Sequence, residues 1–422
     1  GACSSGCGSH RDEDGQHANA GTHTVTVNNV APAVVLTGAN LSAEGASYAL
    51  NLVGSDPAGT ADTLSYSIDW GDGSAAQLLT AAELSALGGN VSHIYSDDED
   101  GPVNSTGRTI TVTVSDEDGG SSMSTKTLTV NNVAPTAAVT GAATVAEAAL
   151  YTLALGAVGD PGVDTVSAYA IDWGDGSVDS FTPSEWATAA GSFDHVYADG
   201  GAGGTARTIT VSATDEDGTH VLGTQALTVL NLAPAVLASG ADAIDEGGAY
   251  ALSLVGSDPA GTADTLSYSI DWGDGSAAQH LTAAELAVLG GEVLHTFADD
   301  EDGPINATDR TITVTVSDED GDSSSSTKTV TVNNVAPTIA LAGAATVVED
   351  SAYTLTLGAV VDPGTDTVSS YLVDWGDGSN SIVSAAGDLS HVYADPGSYS
   401  ISVGLVDEDG THASVASRNV LV

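Results

Sequence analysis

Residues 67–74 read SIDWGDGS, and the core of this stretch, DWGDGS, recurs three more times along the chain. A spacing of roughly 100 residues is typical of a repeat architecture. The copies begin at Asp69, Asp172, Asp271 and Asp374. Glycine tolerates the positive φ of a tight turn, and an aspartate can accept hydrogen bonds from the amides of its own turn. The motif therefore predicts that Trp70 ends a core-facing strand and that residues 71–73 reverse the chain.

Two further motifs mark the end of each repeat. A DEDG segment, which begins at Asp116 in the first repeat, is followed by an NNVAP linker that begins at Asn131. Residues 1–30 carry both motifs without a DWGDGS, so they are expected to be the C-terminal remnant of a preceding repeat. The complete repeats are predicted at residues 31–133, 134–232, 233–335 and 336–422.

Inside a repeat, apolar and polar residues alternate with the period of a strand that covers a core on one side. Residues 64–70 read LSYSIDW, and residues 109–114 read TITVTV. About seven such strands per repeat predict an all-β fold, a tandem array of Ig-like antiparallel β-sandwiches. Capping boxes predict a short helix in the connection between strands C and E of the first three repeats. The boxes are Thr80–Glu83, Thr182–Glu185 and Thr282–Glu285.

These motifs resemble those of the polycystic-kidney-disease (PKD) type repeat. The resemblance rests on IDWGDG at residues 68–73, HIY at residues 93–95 and RTITVTVSD at residues 108–116, in an order that recurs in all four repeats. Ile68 stands where the family has Trp, and Trp70 stands where it has Phe, so large apolar residues are exchanged and the fold is kept. The resemblance implies an extracellular Ig-like module that serves in contacts and spacing, and some members of the family bind calcium.

Composition limits the partners of the chain. It has 7 Lys+Arg against 57 Asp+Glu, a formal charge of −50. Nucleic acid and anionic membranes both need positive charge facing them, so we expect neither as a partner, and no membrane insertion. Divalent cations are the natural counter-ions. Both cysteines, Cys3 and Cys7, precede the repeats, so each repeat is expected to be stable without a disulfide.

Catalytic motifs are missing from the sequence, which contains no nucleophile elbow, phosphate-binding loop or zinc-protease signature. We therefore expect no enzymatic activity. One histidine per repeat recurs on a strand with no nucleophile beside it, and a structural role is expected for it. These histidines are His93, His195, His295 and His391.

The aspartates indicate a binding function, because an Ig-like topology gathers loops at the two ends of a sandwich. The Asp-Pro turns (B–C loop) and the DEDG segments (F–G loop) are expected at the entry end. The A–B glutamates, the DWGDGS turns and the acidic E–F loops at Asp97–Asp100 and Asp299–Asp302 are expected at the exit end. Carboxylates of successive repeats and linker Asn oxygens then converge at each junction, and such hard donors suit Ca²⁺.

The predicted Ca²⁺ ligands comprise one glutamate, several loop aspartates and the linker asparagines of each junction. They are Glu44, Asp56, Asp72, Asp116, Asp118, Asn131, Asn132, Glu147, Asp160, Asp175, Asp215, Asp217, Glu246, Asp258, Asp274, Asp318, Asp320, Asn333, Asn334, Asp362, Asp407 and Asp409. Three alternatives stay open. They are a Ca²⁺ site within one repeat, solvated turn acids without a metal, and adaptation to high salt, in which negative charge needs no specific ion.

The sequence therefore predicts a non-enzymatic segment of a large secreted or cell-surface protein of bacteria or archaea. It would act as a stalk or adhesin array, a spacer stiffened by Ca²⁺ at its junctions. The alternative is a set of accessory modules that bind the polysaccharide or protein substrate of a secreted degrading enzyme. Such binding usually needs exposed aromatic residues, and the one Trp outside the core position, Trp186, is explained more simply by packing of its helix.

Overall fold

The computed structural model describes residues 10–13, 15–17, 23–98, 101, 104–300 and 306–422. Strands dominate these residues, with three short α-helices, so the predicted all-β class is confirmed. Cys3, Cys7, much of the predicted remnant at residues 1–30, and parts of both acidic E–F loops lie outside the described residues.

The chain forms two compact units, and the second repeat contributes residues to both. The first unit comprises Gly1–Ala143, Thr152–His195 and Arg207–Leu227. The second unit comprises Thr144–Tyr151, Val196–Ala206 and Thr228–Val422.

The first repeat is a sandwich of two sheets. It is preceded by an antiparallel pair of short strands, His10–Asp12 (β1) and Gly15–His17 (β2). Its strands are Ala33–Gly38 (β3), Leu41–Ala43 (β4), Ser47–Ser55 (β5), Ser65–Asp69 (β6), Gln77–Thr80 (β7), Asn90–Ile94 (β8), Ser105–Ser115 (β9) and Ser121–Asn131 (β10). One sheet has the order β3-β5-β8 and the other the order β4-β10-β9-β6-β7. Strand β4 pairs in parallel with β10 and the other pairs are antiparallel, as in an Ig-like sandwich.

The second repeat has the same succession of elements. Its strands are Val139–Thr140 (β11), Thr144–Ala146 (β12), Leu150–Leu155 (β13), Ala168–Asp172 (β14), Val178–Phe181 (β15), Ser192–Val196 (β16), Thr205–Thr214 (β17) and Thr219–Leu230 (β18). Within the first unit, β14 pairs with β15 on one side and with β17 on the other. Within the second unit, β12 pairs in parallel with the last residues of β18.

The third and fourth repeats lie in the second unit. The third has the strands Ala235–Gly240 (β19), Ala243–Asp245 (β20), Ala249–Ser257 (β21), Ser267–Asp271 (β22), Gln279–Thr282 (β23), Glu292–Thr296 (β24), Ala307–Ser317 (β25) and Ser323–Asn333 (β26). The fourth has Thr338–Gly343 (β27), Ala352–Val361 (β28), Ser370–Asp374 (β29), Asn380–Val383 (β30), Asp388–Val392 (β31), Ser398–Val406 (β32) and Thr411–Leu421 (β33). Their sheets have the orders β19-β21-β24 and β20-β26-β25-β22-β23, then β27-β28-β31 and β30-β29-β32-β33.

The predicted helices are confirmed in the first three repeats. They are Ala81–Ala86 (α1), Pro183–Ala189 (α2) and Ala283–Val288 (α3), and each is preceded by a threonine that forms the predicted capping box with a glutamate. Leu84 of α1 and Leu286 of α3 are buried. Helices α1 and α3 therefore close one edge of the core where the chain passes between the two sheets.

Each core is built around the tryptophan of the DWGDGS motif. Trp70 is buried, lies edge-on to Tyr48, and accepts a hydrogen bond from the buried Tyr95 hydroxyl to its carbonyl oxygen at 3.2 Å. Tyr393 makes the same bond to Trp375 at 3.1 Å. Full burial of one large apolar side chain contributes roughly 1.5–3 kcal/mol to stability. The fully buried tryptophans are Trp70, Trp173, Trp272 and Trp375.

The turn after the tryptophan holds a histidine against the indole ring. Asp72 accepts a hydrogen bond from the Ser74 amide at 3.0 Å through Oδ1, and its Oδ2 lies 2.6 Å from His93 Nε2. The His93 ring stacks on Trp70 with 4.6 Å between centroids and 6° between planes. The other three repeats repeat both contacts, which confirms the predicted turn and the structural role of the histidines.

The first glycine of the turn is expected to be less replaceable than the second. Both Gly273 and Gly275 have positive φ, at 75° and 82°, which costs a residue with a side chain about 1–2 kcal/mol. A Cβ on Gly273 would also lie 2.5 Å from the Thr311 carbonyl oxygen, whereas a Cβ on Gly275 meets open space. Urea unfolding should therefore show a larger loss of stability for Gly273→Ala than for the control Gly275→Ala. Equal losses would contradict a steric role for the Thr311 backbone.

The paired turn aspartates are expected to make the folded state acid-sensitive. Burial would raise the pKa of Asp72, Asp175, Asp274 and Asp377, but hydrogen bonds from the turn serine and the histidine outweigh it and hold each pKa at about 2. Since the unfolded pKa is about 3.9, this stabilisation is present above pH ~4 and is lost as the pH falls towards 2.

Thermal unfolding in EGTA between pH 5 and pH 2 tests this acid sensitivity. We expect Asp377→Asn to reduce the fall in Tm over this range, because one of the four low-pKa carboxyls is removed. The matched control is Glu292→Gln, which removes an exposed carboxyl of β24. An Asp377→Asn profile parallel to that of the control would show that the histidine pair does not contribute.

Candidate metal centre

A buried glutamate from the A–B turn anchors one acidic cluster after each of the first three repeats. Glu44 is 1% exposed, and both of its oxygens accept backbone hydrogen bonds, Oε2 from Asp98 N at 3.1 Å and Oε1 from Val133 N at 2.6 Å. These donors orient the carboxylate and leave each oxygen a lone pair for a further ligand. Glu147 binds the amides of residues 200 and 232 in the same way, and Glu246 binds the amide of residue 335.

The B–C loop supplies two aspartates with different surroundings. In the second repeat, Asp160 Oδ1 accepts a hydrogen bond from Gly162 N at 3.1 Å. Neither oxygen of Asp164 has a hydrogen-bond partner, although both are buried. In the third and fourth repeats, both oxygens of Asp264 and of Asp366 are likewise buried without a hydrogen-bond partner. A buried carboxylate without donors is costly, so these positions call for a cation or a proton.

Oxygens from the glutamates and the loops come within 4.8 Å of one another in sets of three. The oxygens around one Ca²⁺ lie 2.3–2.6 Å from it and hence at most roughly 5 Å apart, so each set can surround one ion. The sets in the first unit are Glu44 with Asp97 and Asp164, and Asp56 with Asp62 and Asp116. Those in the second unit include Glu147 with Asp258 and Asp264, Asp199 with Asp264 and Asp320, and Glu246 with Asp362 and Asp366.

Electrostatics within these clusters disfavour the ionised state of the central aspartate. Burial, followed by repulsion from neighbouring carboxylates, raises the pKa of Asp164 and Asp264 to about 7 and that of Asp366 to about 8. The pKa of Asp409 is raised to about 6 by burial and by nearby acids of the third repeat. The donors of the sets are all oxygens, with no thiol or imidazole, so the residues present fit a hard cation such as Ca²⁺.

Many of the predicted ligands do come together in these clusters. Those that belong to a set of three are Glu44, Asp56, Asp116, Glu147, Glu246, Asp258, Asp320 and Asp362. Asp160 lies close enough to raise the pKa of Asp164, and Asp409 does the same for Asp366. The described loops therefore bring acids of successive repeats into one place, as the Ig-like topology predicts.

Other predicted ligands bind the protein itself. The first aspartate of the DEDG segment accepts hydrogen bonds from its own turn, as Asp215 does from the amides of Asp217 and Gly218, both at 3.0 Å. Asp318 and Asp407 do likewise, and so does Asp116, which also belongs to the set with Asp56 and Asp62. Asp118 is exposed.

The linker asparagines bind other parts of the protein, two through their side-chain amide nitrogens and two through their backbone carbonyl oxygens. Asn132 Nδ2 donates to Asp217 Oδ2 at 2.8 Å, and Asn334 Nδ2 donates to Asp409 Oδ2 at 2.6 Å. The carbonyl oxygens of Asn131 and Asn333 accept the amides of Glu44 and Glu246, at 3.0 and 2.9 Å. These asparagines therefore hold the loops and the glutamates in position.

The aspartates of the DWGDGS turn need a correction. Asp72, Asp175 and Asp274 were expected among the ligands, but each has one oxygen against a histidine and the other on a serine amide. Both oxygens thus have partners within the same repeat, so these three residues do not belong to the metal site.

Two kinds of ligand were missed in the predicted set. The second aspartate of the B–C loop was not chosen, although D-P-G-x-D or the longer D-P-A-G-T-A-D occurs once in each repeat. The aspartate two residues after the HxY/F motif, at Asp97 and Asp199, is also absent from the predicted ligands, although the acidic loop that contains Asp97 is expected at the junction. Both positions recur in every repeat, and this recurrence was the signal that could have found them.

Trp186 packs as predicted from its place on a helix. Its ring stacks on Tyr169 with 4.2 Å between centroids and also contacts Phe181 and Phe193 at 5.9 and 4.7 Å. In the part of the chain that is described, no helix has both the length and the apolar character needed to cross a membrane.

Comparison with known proteins identifies the fourth repeat. Residues 334–422 match the sequence profile of the PKD domain. No curated protein matches the chain.

Several solved structures match the chain at low similarity. A tetra-tandem repeat in the extending region of a large adhesion protein is 16% identical, with 92% of this chain and 99% of that chain covered and a TM-score of 0.37. Extracellular domains 3–5 of Drosophila OTK are 11% identical, with coverages of 72% and 96% and a TM-score of 0.21. Extracellular cadherin domains 3–6 of protocadherin gamma B2 are 15% identical, with coverages of 75% and 83% and a TM-score of 0.21. At these identities and TM-scores, the similarities do not indicate a function.

The three earlier repeats carry the motifs of the matched fourth repeat on the corresponding strands, with Trp70, Trp173 and Trp272 at the position of Trp375. The chain is therefore a tandem array of PKD-type repeats.

Proposed function

We propose that the chain is a non-enzymatic spacer and interaction array of a secreted or cell-surface protein, and that Ca²⁺ binds at its acidic junctions and stiffens them. Tandem PKD-type sandwiches fit an extracellular spacer or adhesion array. The observation that carries the calcium proposal is an aspartate whose two carboxylate oxygens are buried without hydrogen-bond donors, beside an amide-bound glutamate. It occurs at three junctions, as Asp164, Asp264 and Asp366.

Successive repeats already approach closely where these acids lie. A Cβ built on Gly45 of the first repeat would lie 2.3 Å from the carbonyl oxygen of Pro161 in the second, and Gly247 and Pro363 have the same relation. Both pairs flank the acidic sets, because Gly45 follows Glu44 and Pro161 follows Asp160. A cation held by Glu44 of one repeat and Asp164 of the next would bond the two repeats together and restrict movement at the linker.

Calcium would also offset a repulsion that the few basic residues of the chain do little to relieve. Among the described residues, acids pair with histidines and Asp242 pairs with Lys328, and none of these ion pairs involves Asp164, Asp264 or Asp366. Like charges held at one joint push the repeats apart unless a counter-ion neutralises them. Extracellular modules usually bind Ca²⁺ with Kd of about 10⁻⁴–10⁻³ M.

We expect Ca²⁺ to stabilise the protein beyond the effect of ionic strength. At 10 mM Ca²⁺ and a Kd of about 10⁻⁴–10⁻³ M, each site adds about 1.4–2.7 kcal/mol to the free energy of unfolding. Thermal melts in CaCl₂ and in NaCl plus EGTA at matched ionic strength should therefore differ. Equal melts would favour salt adaptation and overturn the calcium proposal. Asp366→Asn should reduce the Ca²⁺-dependent rise in Tm, whereas the exposed control Glu292→Gln should leave it unchanged.

Small-angle X-ray scattering tests whether bound Ca²⁺ stiffens the array. The full chain should show a narrower distribution of dimensions in millimolar Ca²⁺ than in EGTA at the same ionic strength, because fewer linker conformations remain. The Asp366→Asn variant should retain part of the EGTA-like breadth in Ca²⁺. Identical scattering in both buffers, with Ca²⁺ bound by calorimetry, would show a metal site without a mechanical role.

A further inference from the structure

The junction between the second and third repeats holds two overlapping acidic sets, both within the second unit. One is Glu147 with Asp258 and Asp264, and the other is Asp199 with Asp264 and Asp320. Asp264 is the member they share. We propose that this junction binds two Ca²⁺ ions rather than one, with the carboxylate of Asp264 bridging them.

The inference rests on the proposed function, since it specifies how many cations one junction takes. It starts from the state of Asp264, which is 6% exposed and has no hydrogen-bond partner on either oxygen. An ionised carboxylate buried to this degree needs compensation at both oxygens. Each oxygen is available to a separate ion, which is the arrangement of a bridging carboxylate.

Geometry separates the two ions. Oxygens that bind one Ca²⁺ lie at most roughly 5 Å apart, and this condition holds within each set of three. The five acids do not form one set, because Glu147 and Asp258 belong to the first and Asp199 and Asp320 to the second. The two sets of oxygens therefore define two centres of coordination that share Asp264.

The total charge of the five acids also favours two Ca²⁺ ions. Five ionised carboxylates carry a charge of −5, so one Ca²⁺ leaves −3 at a partly buried joint and two leave −1. No described Lys, Arg or His forms an ion pair with any of the five.

The ligands of the two proposed Ca²⁺ positions differ in burial and in their hydrogen bonds. Glu147, at the first position, is fixed by the amides of Gly200 and Leu232 at 2.9 and 2.8 Å. Asp199, at the second position, is exposed and binds the Gly201 amide at 2.8 Å with Oδ1. The first ion is thus enclosed by buried ligands, and the second lies nearer to solvent. Loss of an outer ligand should remove one ion, whereas loss of the bridge should remove both.

Counting bound Ca²⁺ tests the inference. Equilibrium dialysis of the full chain against millimolar Ca²⁺ at constant ionic strength gives the number of ions per molecule for the wild type and each variant. We expect Asp264→Asn to bind two ions fewer than the wild type and Asp199→Asn to bind one fewer. Glu292→Gln, which removes an exposed acid of the third repeat, should bind the wild-type number. Thermal melts in EGTA establish that each variant is folded.

The outcomes separate this inference from the proposed function. A wild type that binds no Ca²⁺ overturns both. A wild type that binds Ca²⁺, with Asp264→Asn losing one ion and Asp199→Asn losing none, overturns the bridged pair and leaves calcium at the junctions intact. Should Asp264→Asn fail to fold, the loss of one ion in Asp199→Asn together with retention of the ion held by Glu147 would still support two positions.

Discussion

The amide-bound glutamate of the A–B turn is the interaction on which the junctions after the first three repeats depend. Through its two oxygens Glu44 joins the E–F loop, at Asp98 N, to the linker that leads into the next repeat, at Val133 N. The backbone amide of Glu44 in turn donates to the carbonyl oxygen of Asn131, at the end of the last strand. One buried carboxylate thus sets the direction in which the linker leaves the sandwich. The loops of the next repeat meet it only because that direction is set.

A buried anion at this position limits what can surround it. Asp164 and Asp366 come close to such a glutamate from the following repeat, and the chain has few basic residues to pair with any of them. Hydrogen bonds satisfy the glutamate, but they do not reach the second aspartate of the B–C loop. The protein therefore concentrates negative charge at sites where the backbone donors are already used, and this is the electrostatic basis of the calcium proposal.

The structure inside each repeat depends on a different set of contacts. Trp70, His93 and Asp72 form a contact chain from the core to the surface turn, and the same chain recurs in the other repeats. It uses the turn aspartates, three of which, Asp72, Asp175 and Asp274, are among the Ca²⁺ ligands predicted from the sequence. The sequence could not show this, because His93 lies 21 residues from Asp72 and meets it only when strand β8 packs beside the hairpin of β6 and β7.

Sequence by itself determined the class of fold, the repeats and the helices. Alternation of period two, the glycine turn and the Thr–Glu capping boxes are local signals, and local geometry is sufficient to satisfy them. It also placed Glu44 and Asp160 at one junction, since an Ig-like topology fixes which loops share an end. Only the tertiary structure decided that Asp164 would be buried without donors and that Asp72 would be bound to a histidine. Burial and hydrogen-bond saturation depend on which backbone amides reach a carboxylate first, and those amides belong to residues distant in the chain.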